Sequence, residues 1–241
     1  MDGFTYHNIF DTKGIEYLVI ISFFLLLIPF WYYLNWQTKI TRQRIKEELG
    51  SLTDNMLKVP QGLFFSRNHT WAHLEKSGIA SIGLDDMMMH ITGDVKVENI
   101  RQTGEIIKKG DLLAEMRQGA KVLKVFSPVS GEVIKPNTTL LENAEVLTDD
   151  PYGEGYLCKV KPFKWVEETN TYYLAENANE WSVKEMDRFR RFLTSVTVKY
   201  SADSSKIILQ DGGEIRDQPL RDMPDKVWDD FQINFLNYNL T

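Results

Sequence analysis

Met116-Arg-Gln-Gly-Ala-Lys-Val-Leu-Lys-Val-Phe-Ser-Pro-Val-Ser-Gly-Glu-Val133 decides how the rest of the chain is read. Lys121 to Phe126 is rich in β-formers and is closed by Ser127 and Pro128. Ser130-Gly131 then supplies a turn before Glu132, Val133 and Ile134. The pattern predicts a strand, a corner and a second strand. Before it stands Gly104-Glu-Ile-Ile-Lys-Lys-Gly-Asp-Leu-Leu113, and after it a partial echo, Gly131-Glu-Val-Ile-Lys-Pro-Asn-Thr-Thr-Leu-Leu141. Each copy has Gly-Glu, two apolar residues, Lys, a turn and Leu-Leu. Two similar units therefore flank one central turn near Gln118–Lys121.

This layout resembles the lipoyl/biotinyl barrel-sandwich hybrid, in which two quasi-symmetric halves present a lysine on the hairpin between them. Neighbouring motifs narrow the resemblance to the glycine cleavage system H protein family. His69-Thr70-Trp71 resembles its His-Glu-Trp opening, and Gly78-Ile-Ala-Ser-Ile-Gly83 its first barrel strand. Gly83 to Val95 is similar to its helix followed by Gly-Asp, and Asp149-Asp-Pro-Tyr-Gly-Glu-Gly-Tyr-Leu157 to its close. The resemblance implies a mainly β barrel-sandwich hybrid over 62–165 with flanking helices.

The same resemblance places the lipoyl acceptor seven residues before Ser127 and ten after Gly110, which is Ala120. The family's acidic residue three positions earlier falls on Arg117. Lys121 is one place off, and a one-residue shift on a hairpin re-aims a side chain. Two functions follow as expectations. One is a non-catalytic, unlipoylated subunit anchored at the cytoplasmic face of the membrane as a scaffold or docking module in a larger membrane complex, since the arm has no attachment point. The alternative is a membrane-tethered lipoyl carrier for aminomethyl, acyl or electron transfer, modified at Lys121.

The N-terminus supplies the second expectation. Tyr17 to Thr38 carries no charge, and Tyr17–Trp36 has the roughly 20-residue length that crosses a bilayer core. Trp31, Tyr32, Tyr33 and Trp36 crowd one end as an interfacial belt. Lys39, Arg42, Arg44 and Lys46 follow the span, against Lys13 before it, so the positive-inside rule places the C-terminal part in the cytoplasm. A cleaved signal peptide fits poorly, because the leading segment is acidic and no Ala-x-Ala site follows. The expected organisation is an extracytoplasmic 1–16, a transmembrane helix over 17–38, a juxtamembrane helix and linker over 39–61, the barrel over 62–165, and an α/β extension over 166–241. The expected location is single-pass in the cytoplasmic membrane.

In the extension, Trp181–Leu193 is amphipathic, with Ser182 and Glu185 spaced as a capping box. Its apolar face packs on the barrel or meets a partner. Thr194–Tyr200 and Lys206–Leu209 look like strands, with Asp211-Gly-Gly213 as a turn. Pro224 opens a final helix whose Trp228, Phe231 and Phe235 are candidates for binding integral membrane protein subunits of a larger complex.

Several functions are disfavoured. A net charge of −6 without a basic stripe argues against a nucleic-acid partner. The four histidines show no metal-ligand spacing, the glycines form no phosphate loop, and no nucleophile or carboxylate-pair signature marks an enzyme. No metal is expected. Cys158 sits in an apolar run and reads as a buried thiol. Met87-Met-Met89 fills core or makes an adaptable contact surface, and His69 with Trp71 is either a packed pair or a partner contact.

Overall fold

The computed structural model describes residues 17–31, 51–52, 57–200 and 215–236. The chain divides into two units, Met1–Gly50 and Ser51–Thr241. In the first, α1 spans 17–31 with its apolar side chains exposed. Among the described residues no helix is long and apolar enough to cross a membrane. Residues 32–38 of the expected span, and the expected helix over 40–49, lie outside the described residues.

The second unit is built around antiparallel strands. β1 (Ser51–Leu52) pairs with β11 (Ile215–Arg216), so part of the expected linker is tied into a two-stranded ribbon by the far end of the chain. β2 (Phe64–Phe65), β3 (Thr70–Leu74) and β4 (Ala80–Leu84) form a meander. It is extended by β10 (Cys158–Pro162), β9 (Gly131–Pro136) and β6 (Ile106–Ile107) into a six-stranded sheet of order β2-β3-β4-β10-β9-β6. The second sheet is β5 (Lys96–Glu98), β7 (Leu112–Gln118) and β8 (Lys121–Phe126), with β8 at one edge.

The repeated Gly-Glu units meet directly. Ile106 pairs with Glu132 and Ile107 with Gly131, so the internal echo becomes a strand pair that closes one side of the fold. Alternation sorts the side chains. On β8, Leu123 and Val125 are buried while Lys124 points to solvent. Gly83 has a packing reason, because a Cβ there would meet the Trp71 indole at 2.6 Å. That indole lies across Gly83 and donates to Leu84 O at 2.9 Å and Pro151 O at 3.1 Å.

Helix α2 (Asp86–Thr92) starts at Asp85, whose side chain accepts from Met88 N, and it buries Met87, Met88 and Met89. The methionines are core. Short helices α3 (Thr139–Glu142), α4 (Val146–Asp149) and α5 (Trp165–Thr169) flank the sheets. Burial pushes the Cys158 thiol up to about 12, which keeps it protonated and inert.

The extension departs from its sequence pattern. Helix α6 runs from Glu176 to Tyr200, so Ser182 lies inside it and donates to Asn179 O instead of capping. The expected strand over Thr194–Tyr200 is the end of this helix. Its β-branched residues favour a strand locally, but Phe189, Leu193 and Val196 continue one buried face, and the Thr194 and Thr197 hydroxyls return to carbonyls one turn back. Lys206–Leu209 and Asp211–Gly213 lie outside the described residues. Pro224 precedes α7 (Asp225–Asp230), which runs into a π-helical turn, Phe231–Phe235.

Candidate functional site

The central turn is as tight as a hairpin can be. Gln118 pairs with Lys121, leaving Gly119 and Ala120 as a two-residue connection, and Gly119 takes the left-handed φ of 63° that the turn needs. Ala120 is exposed at the tip. It is the position that the resemblance assigns to the acceptor, and it has no amine to acylate. Arg117 Nε donates to Glu98 Oε2 at 2.8 Å on the neighbouring strand, so the reversed charge serves a cross-strand ion pair. Gln118 Nε2 donates to Asp94 O at 2.9 Å and Thr92 O at 3.2 Å, tying the hairpin to the end of α2.

Lys121 is half-buried and turns away from the tip. Its Nζ donates to Arg221 O at 2.6 Å and lies 5.5 Å from the centroid of the Trp228 ring. Burial lowers its pKa, with Asp225 and Asp222 opposing. The residues at the tip do not fit a lipoyl attachment: the exposed position lacks an amine, and the neighbouring amine is engaged by the chain's own C-terminal segment.

Trp228, Phe231 and Phe235 do not form the outward-facing surface expected of them. All three are buried, at 1%, 0% and 1% exposure. Phe231 and Phe235 stack at 4.9 Å, and Phe189 and Phe192 of α6 pack around them at 5.5 to 6.0 Å. The apolar stripe is used inside the chain because α6 presents a matching aromatic face.

A second cluster escaped the sequence. His69 is fully buried, with Nδ1 2.7 Å from Asp85 Oδ2 and its ring stacked on Phe235 at 5.6 Å and tilted against Trp181 at 5.3 Å. Among the described residues its Nε2 has no hydrogen-bond partner; it lies 3.6 Å from Glu185 Oε2, so Glu185 acts on it by charge. Glu185 in turn pairs with Arg188 at 2.6 Å. Arg188 sits 3.9 Å over the Phe235 ring and donates to Phe235 O at 2.7 Å. Burial alone would depress the imidazole, but Asp85 and then Glu185 outweigh it and raise the pKa to about 9, so His69 is an imidazolium at neutral pH. The Ser182–Glu185 spacing mimicked a capping box, and nothing in the sequence linked Glu185 to His69, 116 positions away. Among the described residues, no group of three or more His, Cys, Asp or Glu side chains is placed to hold a metal ion.

The family model described as glycine cleavage H-protein matches residues 63–186, just over half of the chain. This chain belongs to the glycine cleavage H-protein family. A probable glycine cleavage system H protein from Pyrococcus abyssi is 34% identical over 124 residues, which cover 52% of this chain and 92% of that protein. The H protein of Coprothermobacter proteolyticus is 34% identical over 105 residues, covering 44% of this chain and 83% of that one. A crystal structure of an H protein from Mycobacterium marinum matches 51% of this chain and 98% of that one, at 22% identity and a TM-score of 0.44. The family match ends at Met186, inside α6, so the segment that holds Lys121 lies beyond it.

Proposed function

We propose that this chain is a non-catalytic, unlipoylated H-protein-like subunit, anchored by its N-terminal helix at the cytoplasmic face of the membrane and serving as a docking module or scaffold in a larger membrane complex. One observation carries the reading: the hairpin tip offers Ala120, while Lys121 is drawn down onto Arg221 O and Trp228. A swinging arm needs a free lysine at that tip, and without one the arm chemistry has no carrier. The uncharged stretch from Tyr17 to Thr38, followed by four basic residues, supports the anchor and its orientation. Since Trp228, Phe231 and Phe235 are internal, partners meet the membrane helix or exposed apolar residues such as Ile106, Phe163 and Val166.

Protein extracted from its native host in mild detergent tests this directly. It is expected to elute well above monomer size with other membrane proteins, and its Leu112–Lys124 peptide is expected to have the unmodified mass. A lone monomer under conditions that preserve other membrane complexes would sink the scaffold role. A lipoyl-amide increment on Lys121 would instead make the chain a tethered carrier.

A further inference from the structure

Residues 215–236 follow one continuous path across the barrel. The path begins at the β1–β11 ribbon and runs along the end of α2, where Gln218 N donates to His90 O at 2.7 Å, Leu220 N to Ile91 O at 3.1 Å, and Asp217 meets His90 at 2.9 Å. It then reaches the hairpin tip, where Arg221 O receives Lys121 Nζ and Arg221 Nη1 lies 3.2 Å from Asp94. Trp228 underlies Lys121 and is held by its own donation to Leu220 O at 2.8 Å. Farther on, Gln232 Oε1 accepts from Lys124 N at 2.7 Å, taking up a backbone amide on the open edge of β8. The path closes at Phe235, stacked on His69 and gripped by Arg188.

An edge strand with free amides is a site where another chain can add a strand, and covering it is a known means of preventing that. We propose that residues 215–236 are a built-in strap that closes the β7–β8 hairpin, withholding Lys121 from acylation and the edge of β8 from strand addition. The inference rests on the reading of an unmodified hairpin and adds the device that keeps it unmodified. The strap is held at two points, Lys121 with Arg221 and Trp228 at the tip, and the Asp85–His69–Glu185–Arg188 cluster with Phe235 at the far end.

Pulsed labelling of the full-length protein in detergent micelles with sulfo-N-hydroxysuccinimide acetate, read by peptide mass spectrometry, tests the strap. The reference amine is Lys184, whose side chain is 76% exposed. Lys121 is expected to label about tenfold more slowly, because labelling needs local opening of the strap. Its lowered pKa would by itself speed the reaction, so slow labelling reports cover. Trp228→Ala is expected to bring Lys121 to the rate of Lys184, while amide exchange in β3 and β4 stays slow. Should that variant fail to fold, Arg188→Gln loosens the other end and is expected to raise labelling in the same direction. Labelling of Lys121 as fast as Lys184 in the unaltered chain would overturn the strap. That result on an unmodified lysine leaves the unlipoylated reading standing, whereas a lipoyl mass on native Lys121 removes that reading itself.

Discussion

At the hairpin tip and at the His69 cluster, the same C-terminal segment holds a cation, but the two contacts differ in their access to water. Lys121 is half-buried, donates to Arg221 O and keeps a flexible stem, so its ammonium can swing into solvent if Arg221 moves. His69 is fully enclosed by Asp85, Glu185, Trp181 and Phe235 and has no such exit. A charge that water can recover costs little to release, whereas a charge trapped without its partner is expensive. The cluster should therefore set the stability of the closed form, and the tip contact should set only what the hairpin can do.

The sharpest way to break this comparison is Asp85→Ala. It strips the buried imidazolium of its nearest carboxylate, expected to cost about 3–5 kcal/mol. It also removes the α2 cap, for about 1 kcal/mol more. Urea unfolding followed by tryptophan fluorescence measures the sum. A loss below about 1 kcal/mol would show that the cluster does not anchor the segment.

The pH dependence comes next in size. His69 has a folded pKa raised from 6.5 to about 9, so its contribution is fully present below pH 6.5 and is lost as pH rises through about 9. The groups facing it are Asp85 and Glu185, with Arg188 behind Glu185, and burial of Glu185 is outweighed by His69 and Arg188, which keep it ionised. Stability measured from pH 6 to 10 is expected to fall by roughly 3 kcal/mol on the alkaline side. In His69→Gln that decline should flatten, and an unchanged decline would assign it to other groups.

The smallest effect is expected at the tip. Lys121→Ala should change unfolding stability by less than about 1 kcal/mol, because a half-exposed amine exchanges one hydrogen bond for water. A larger loss would mean that the tip holds the segment as strongly as the enclosed cluster does, and the contrast between the two cations would fail.

Much of the barrel was legible from local chemistry. The Gly-Glu echoes, the β-rich run Lys121–Phe126 and the Ser-Pro corner each act over a few residues, and their strands formed where those signals lay. The apolar run around Cys158 marks it as a core residue, and it is buried; for Met87–Met89 the sequence left core and contact surface both open, and burial decided for core. The extension was less legible. Thr194–Tyr200 read as a strand from β-branched content, yet it continues a helix whose Phe189, Leu193 and Val196 share one buried face, with Phe189 and Phe192 packed on Phe231 about 40 positions later. Trp228, Phe231 and Phe235 were recognisable as an apolar stripe, but periodicity says only that a face needs cover and not who covers it.

By itself, the sequence determined the family, the paired-repeat plan of the barrel and the absence of a lysine at position 120, because each is carried by residue identity or by short-range spacing. Only the tertiary structure decided that Lys121 belongs to the tail, that the tail's aromatics face inward, and that His69, Asp85, Glu185 and Arg188 share one enclosed charge network. Those outcomes depend on contacts between segments far apart in the chain, from about 40 positions for Phe192 with Phe231 to 116 for His69 with Glu185. Their energies come from excluding water around groups that no local pattern brings together.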